Sequence, residues 1–138
     1  MTFRVCVSLV VLCGWATVAL GEDVVSVGTV TADPKSYHSK EVVLRGKVQD
    51  VVQLPPYRTR SLLCWGTYTF TLQDGTGSVA VFVQGPCSIN TMNPDVKPPQ
   101  MTEGEEVTME ALIFVGDYMS GLHDPNGKVT AVSKEFRK

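Results

Sequence analysis

Apolar and polar residues alternate in several stretches of the chain, and five strands are expected. Over residues 41–52, Val42, Leu44, Gly46 and Val48 share one face, and Val43, Arg45, Lys47 and Gln49 share the other. Alternation with period two and many valines predicts a half-buried strand. A helix would spread Val42, Val43 and Leu44 around most of its circumference. Gly46 within this run predicts a bulge or a tight bend. Residues 67–73 alternate again, with Tyr68, Phe70 and Leu72 as the apolar set, and residues 78–84 follow with Val79, Val81 and Val83. A fourth strand is expected over 105–118, with Val107, Met109, Ala111, Ile113 and Val115 inward, and a fifth over 128–136. Ahead of them, Asp33 as N-cap and Pro34 at the first helical position predict a short helical turn over 33–37. Residues 24–30 read as a short strand or an extended arm. Pro86, Pro94, Pro98 and Pro99 mark residues 85–104 as an irregular crossover. Residues 116–127, rich in Gly, Asp and Asn, read as a loop.

The second and third strands are joined by Asp74-Gly75-Thr76-Gly77, a strong hairpin signal. A two-residue turn at Gly75-Thr76 sets Leu72 opposite Val79, Phe70 opposite Val81 and Tyr68 opposite Val83. Both apolar sets then fall on one face, as a coherent register requires. Carried outward, the same register sets Cys64 opposite Cys87. A disulfide is expected there, closing a loop of about 24 residues and contributing about 3 kcal/mol. The alternative is a pair of free core thiols.

The first 21 residues change the picture of compartment. Arg4 precedes a run in which 13 of 16 residues from Val5 to Leu20 are apolar, and Ala19 and Gly21 supply small residues before Glu22. This is the pattern of a cleaved secretory signal over 1–21, leaving one domain over 22–138. A membrane anchor is the alternative, but the run is short for a crossing of about 20 residues. Removal takes Cys6 and Cys13 and leaves Cys64 and Cys87, an even pair suited to an oxidising, periplasmic or extracellular setting. The net charge of −2 becomes more negative, because only Arg4 departs among the charged residues. The bulk basic footprint of a duplex-DNA binder is absent. No second segment reads as a membrane span.

The strand order and several motifs resemble a known family. The matching segments are Val42-Val43-Leu44-Arg45-Gly46-Lys47-Val48, then Phe70-Thr71-Leu72-Gln73-Asp74-Gly75-Thr76-Gly77-Ser78-Val79. Gly104-Glu105-Glu106-Val107 and Val129-Thr130-Ala131-Val132 complete the set. The pattern is similar to OB-fold nucleic-acid-binding domains of the anticodon-binding type, over residues 41–136. The resemblance implies an all-β, five-stranded Greek-key barrel. It also implies a binding face across strands two and three, bordered by the first and fourth strand-connecting loops, with single-stranded nucleic acid as ligand. This chain departs from the family in its leader, its cysteine pair, its acidity and its lack of a catalytic domain to serve. A protein-interaction or oligosaccharide-binding module of an envelope or extracellular assembly is therefore the alternative reading.

Catalytic chemistry is not expected. His38 and His123 lie far apart in sequence with no Cys-x-x-Cys to complete a zinc site. No nucleophile stands in a recognisable catalytic setting, and Gly-Thr-Gly belongs to a hairpin rather than a phosphate loop. Neither metal nor cofactor is expected. The candidate site is a face. Trp65, Thr67, Thr69 and Thr71 fall on the parity opposite the core, with Phe82 and Gln84 from strand three. Arg45, Lys47 and Gln49 come from strand one, and Tyr57, Arg58 and Arg60 from the long first loop. Aromatic rings stack on bases and cations meet phosphates. A single basic groove joining Arg45, Lys47, Arg58 and Arg60 would favour nucleic acid. The bland alternative is that Trp65 and Phe82 pack under neighbouring segments and the cations line an ordinary solvated strand.

Overall fold

The computed structural model describes residues 22–89, 91–93 and 95–137. The expected signal sequence lies outside the described residues. Five long strands form the barrel: β1 (Glu41–Gln53), β2 (Tyr68–Gln73), β3 (Ser78–Val83), β4 (Glu106–Asp117) and β5 (Val129–Arg137). Around the barrel the order is β1, β2, β3, β5, β4 and back to β1. All contacts are antiparallel except β3 with β5, which run parallel through Ala80–Thr130, Val81–Ala131 and Phe82–Val132. This is the OB-fold, closed because β1 is long enough to serve two neighbours. Its first half pairs with β4 and its second half with β2, and Lys47 faces Gln73 on one side and Glu106 on the other. Gly46 stands at that change of partner, where a Cβ would lie 2.6 Å from the Gln73 carbonyl oxygen.

The hairpin register is the expected one: Leu72 faces Val79, Phe70 faces Val81, and Tyr68 faces Val83. Phe70, Leu44, Leu72, Val48, Val81, Met109, Ile113 and Val115 are fully buried and fill the barrel. On β4 the inward positions are the alternate ones from Val107 to Val115. Tyr68 also points inward, and its hydroxyl donates to the Pro99 carbonyl, fastening the crossover to the barrel. Burial pushes its phenol up to about 12.

The N-terminal segment differs from the strand or arm expected over 24–30. Only its first part is extended: Val24 bridges to Val43, and the Val25 N–H donates to the Val43 carbonyl at 2.9 Å. That contact buries Val43 on the outer face of β1. A helix, α1 (Val27–Ala32), follows. Four valines favour a strand locally, but six residues make a helix only with tertiary help. The help comes from the β2–β3 turn. Asp74 Oδ2 accepts the Val27 N–H at 2.8 Å, and Thr76 Oγ1 accepts the Gly28 N–H at 2.8 Å. Val27 and Val30 are then fully buried against the barrel end. The expected helical turn is present as α2 (Pro34–Tyr37), with Pro34 opening it. Asp33 does not cap the backbone through its side chain; it accepts the Ser36 hydroxyl at 2.5 Å.

Asp74 gives the fold an acid limb. Partial desolvation pushes its carboxyl up, but hydrogen bonds from Thr76, Val27 and Gly77 outweigh that and hold it below the ordinary range. A carboxyl depressed in the folded state stabilises above its unfolded value, near 4. That contribution fades as pH falls through the folded value. Asp74→Asn is therefore expected to flatten the stability profile below about pH 5. Urea midpoints for both proteins, taken from neutral to acid pH, test this. Parallel profiles would mean that the carboxylate does not anchor α1.

Candidate ligand-binding face

The outer surface of the barrel carries a cavity of about 500 Å³. Its floor is Thr69 and Thr71 of β2, Ala80 of β3 and Thr130 of β5. The loop between β4 and β5 makes one wall. It folds back on β4 through Gly116–His123 and Asp117–Leu122 pairs. Only glycine permits this at 116, where φ is +125° and a Cβ would lie 2.2 Å from the Leu122 oxygen. The fold-back sets Tyr118 against Phe82, with ring centroids 5.1 Å apart, and edge-on to Phe114 at 5.6 Å. Each such aromatic pair contributes about 0.5–1.5 kcal/mol beyond area burial, so the Tyr118 ring is held in place. Burial raises its phenol above the ordinary range, and nearby Tyr57 adds to the effect. Asp117 accepts from the Ser120 hydroxyl at 2.8 Å and the Met119 N–H at 3.1 Å, which closes the loop. The Ser120 hydrogen bond is the main reason its carboxyl lies below the usual range.

Tyr57 lies near Tyr118 but does not line the cavity. The segment between β1 and β2, expected as a long loop, is a small hairpin of Tyr57–Thr59 and Leu62–Cys64, joined to Cys87–Ser88. Cys64 is bonded to Cys87, with Cα atoms 4.0 Å apart, as the strand register required. Arg60 takes a left-handed φ of 53° in the two-residue turn. Arg58 and Arg60 are exposed, and neither forms an ion pair among the described residues.

The residues expected to form one face are divided among separate places. Thr69 and Thr71 line the cavity. Phe82 has the expected outward parity but is only 4% exposed, because Tyr118 covers it. Thr67 is a correction: it lies before β2, is fully buried, and its hydroxyl accepts the Gly85 N–H at 3.0 Å. Its role is to satisfy a backbone donor where two segments cross. Trp65 lines a separate pocket with Val96, Lys97 and Pro98 of the crossover, and its indole N–H donates to the Asn93 carbonyl at 3.2 Å. It latches the crossover. Arg45 and Lys47 line a different groove, beside Gln73, Asp74 and Gly75. Arg45 is paired there with Glu106, its Nε donating at 2.7 Å. The groove lies at the turn end of β2, whereas the Arg58/Arg60 hairpin adjoins its Tyr68 end. The four cations do not form one groove.

Among the cavity-lining residues that were not expected are Asp50, Val52, Tyr118 and Lys128. Two of them follow from a bulge between Gln49 and Val52. Val48 faces Leu72 inward, but Val52 faces Thr69 outward, so the inserted residue reverses parity. The rule that the fourth connecting loop borders an OB-fold site was the available signal for Tyr118. The fold also brings His38 and His123 together, with ring centroids 4.0 Å apart. Among the described residues, no group of three or more His, Cys, Asp or Glu could hold a metal ion.

No protein-family model and no curated protein matches the chain. Among solved structures, the chain is similar to that of a "putative aspartyl-tRNA synthetase from Leishmania major Friedlin". The TM-score is 0.54 and the identity 14%, with 88% of this chain covered. The match spans 21% of the synthetase chain. At that identity the likeness shows the fold. No helix among the described residues is long and apolar enough to cross a membrane.

Proposed function

We propose that this chain is a non-catalytic OB-fold module that binds single-stranded nucleic acid after export to an oxidising compartment. The observation that carries the reading is the Tyr118 ring, fixed beside an open strand face, with Tyr57 of a bridged hairpin nearby; that hairpin bears Arg58 and Arg60, neither ion-paired among the described residues. A fixed ring offers a stacking surface at little ordering cost. Arg58 and Arg60, with Lys128 on the cavity rim, can follow a phosphate backbone. The likeness to a protein named as a tRNA synthetase supports nucleic acid over other ligands of this fold. The disulfide and the leader pattern support export.

Fluorescence anisotropy with a labelled single strand tests the reading. Tyr118→Ala is expected to weaken binding by about 1–3 kcal/mol, the scale of one lost base stack. It should leave the salt dependence nearly unchanged, since no charge is removed. Arg58→Ala with Arg60→Ala should instead reduce the salt slope by about 0.7 per lost phosphate contact. Absence of binding by the wild type at low salt would overturn the proposal.

A further inference from the structure

We propose that Asp50 is the base-selecting residue of this face and that it favours guanine; the inference rests on the nucleic-acid reading above. Asp50 lines the same cavity as Tyr118 and Thr69. It stands in the β1 bulge with φ at 52°. The bulge does not need its carboxylate. The next backbone N–H, that of Val51, is held by Glu103 Oε1 at 2.9 Å. Asp50 itself forms no ion pair or side-chain hydrogen bond among the described residues. The cavity's other carboxylate, Asp117, is occupied within its own loop by Ser120 and Met119. Asp50 is the carboxylate left to meet a ligand.

An ionised carboxylate accepts hydrogen bonds and donates none. On a nucleic-acid face it repels phosphates and base carbonyls, so it favours a ligand only where a base supplies donors. Guanine supplies two neighbouring donors on its Watson–Crick edge, N1–H and N2–H, matching the two carboxylate oxygens. In a single strand that edge is free. Cytosine and adenine offer an amino group alone there. Thymine offers N3–H between two carbonyl oxygens that would face the carboxylate. Asp50 and Tyr118 line one cavity, so a base stacked on the ring there would meet the carboxylate through an edge.

The test compares three labelled strands of about twelve nucleotides, within the span of an OB-fold site. One is oligothymidylate, one carries isolated guanines, and one carries inosine at those positions. Inosine keeps N1–H and lacks the amino group. By anisotropy at low salt, the wild type is expected to prefer the guanine strand over oligothymidylate by about tenfold. Inosine should fall between them. Asp50→Asn, which tolerates the same left-handed backbone, should bring all three within about twofold without weakening oligothymidylate binding. Equal wild-type affinity for the three strands overturns the role of Asp50 and leaves the nucleic-acid reading standing. An equal loss on all three strands in Asp50→Asn makes the residue structural and has the same consequence. No binding to any strand overturns both. The inosine comparison needs no variant, so it stands even if Asp50→Asn folds poorly.

Discussion

Gly85→Ala is expected to lower unfolding stability by about 3 kcal/mol or more. A Cβ there would lie 1.8 Å from the Trp65 carbonyl oxygen, 2.7 Å from the Thr67 nitrogen and 2.8 Å from the Gly66 carbonyl carbon. All three are backbone atoms, so no side chain can swing aside. The two segments are also pinned to each other. The Trp65 N–H donates to the Pro86 carbonyl at 3.1 Å, and the Gly85 N–H donates to the Thr67 hydroxyl at 3.0 Å. Relief of the clash would break these bonds and strand the hydroxyl of Thr67, which has no exposure to water. An unsatisfied buried polar group adds about 1–3 kcal/mol. Gly75→Ala is the control. Gly75 has φ of +86°, and a methyl added there would have nothing within 4 Å, so that variant reads backbone strain alone, about 1–2 kcal/mol. Urea denaturation of the two variants and the wild type separates contact from strain. A Gly85→Ala midpoint matching that of Gly75→Ala would mean that the segments do not cross so closely.

Gly85 illustrates what a sequence of this kind conceals. Most of the strands are legible because they keep period two over much of their length, and their pairing is legible because Asp74-Gly75-Thr76-Gly77 fixes a register that reaches Cys64 and Cys87. Those are local signals. The crossing at Gly85 is made by residues 18 positions apart that share no periodicity. The site is less legible for a related reason. Parity assigns faces only while the ladder is regular, and the bulge before Val52 reverses it, hiding Asp50 and Val52. Trp65 fits an exposed stacking ring by parity, yet the partner that claims it, the Asn93 carbonyl, lies in an irregular crossover. Phe82 and Tyr118 meet only because the fourth connecting loop folds back, which depends on a glycine conformation at 116. Val27 and Val30 read as strand residues because two of the acceptors that start α1 belong to a turn nearly fifty positions away, beside the local cap from Ser26.

Opening the Cys64–Cys87 bond is expected to lower stability by about 3 kcal/mol, from the entropy regained by the unfolded chain over a separation of 23 residues. The effect should be uneven along the chain. The barrel strands pair without the bridge, whereas the Tyr57–Thr59 and Leu62–Cys64 hairpin is joined to the rest through a short ladder with Cys87–Ser88. Losing the bridge frees the hairpin that carries Arg58 and Arg60 before it frees Tyr118, which is held by Phe82 and Phe114. Reduction should therefore flatten the salt dependence of oligonucleotide binding while much of the stacking contribution remains. Cys64 is fully buried, so a reductant acts only when this end of the barrel opens. The decisive comparison is the urea midpoint of the wild type and of a Cys64→Ala, Cys87→Ala variant, each with and without reductant. The wild type should fall toward the variant on reduction, and the variant should not respond. Identical midpoints for the oxidised wild type and the variant would show that the bridge adds nothing to stability. A lowered midpoint with an unchanged salt slope would show that Arg58 and Arg60 do not depend on the bridge for their position. Stability that depends on an oxidised pair suits a chain that folds where thiols do not remain reduced, which connects the cysteine register to the leader pattern at the N-terminus.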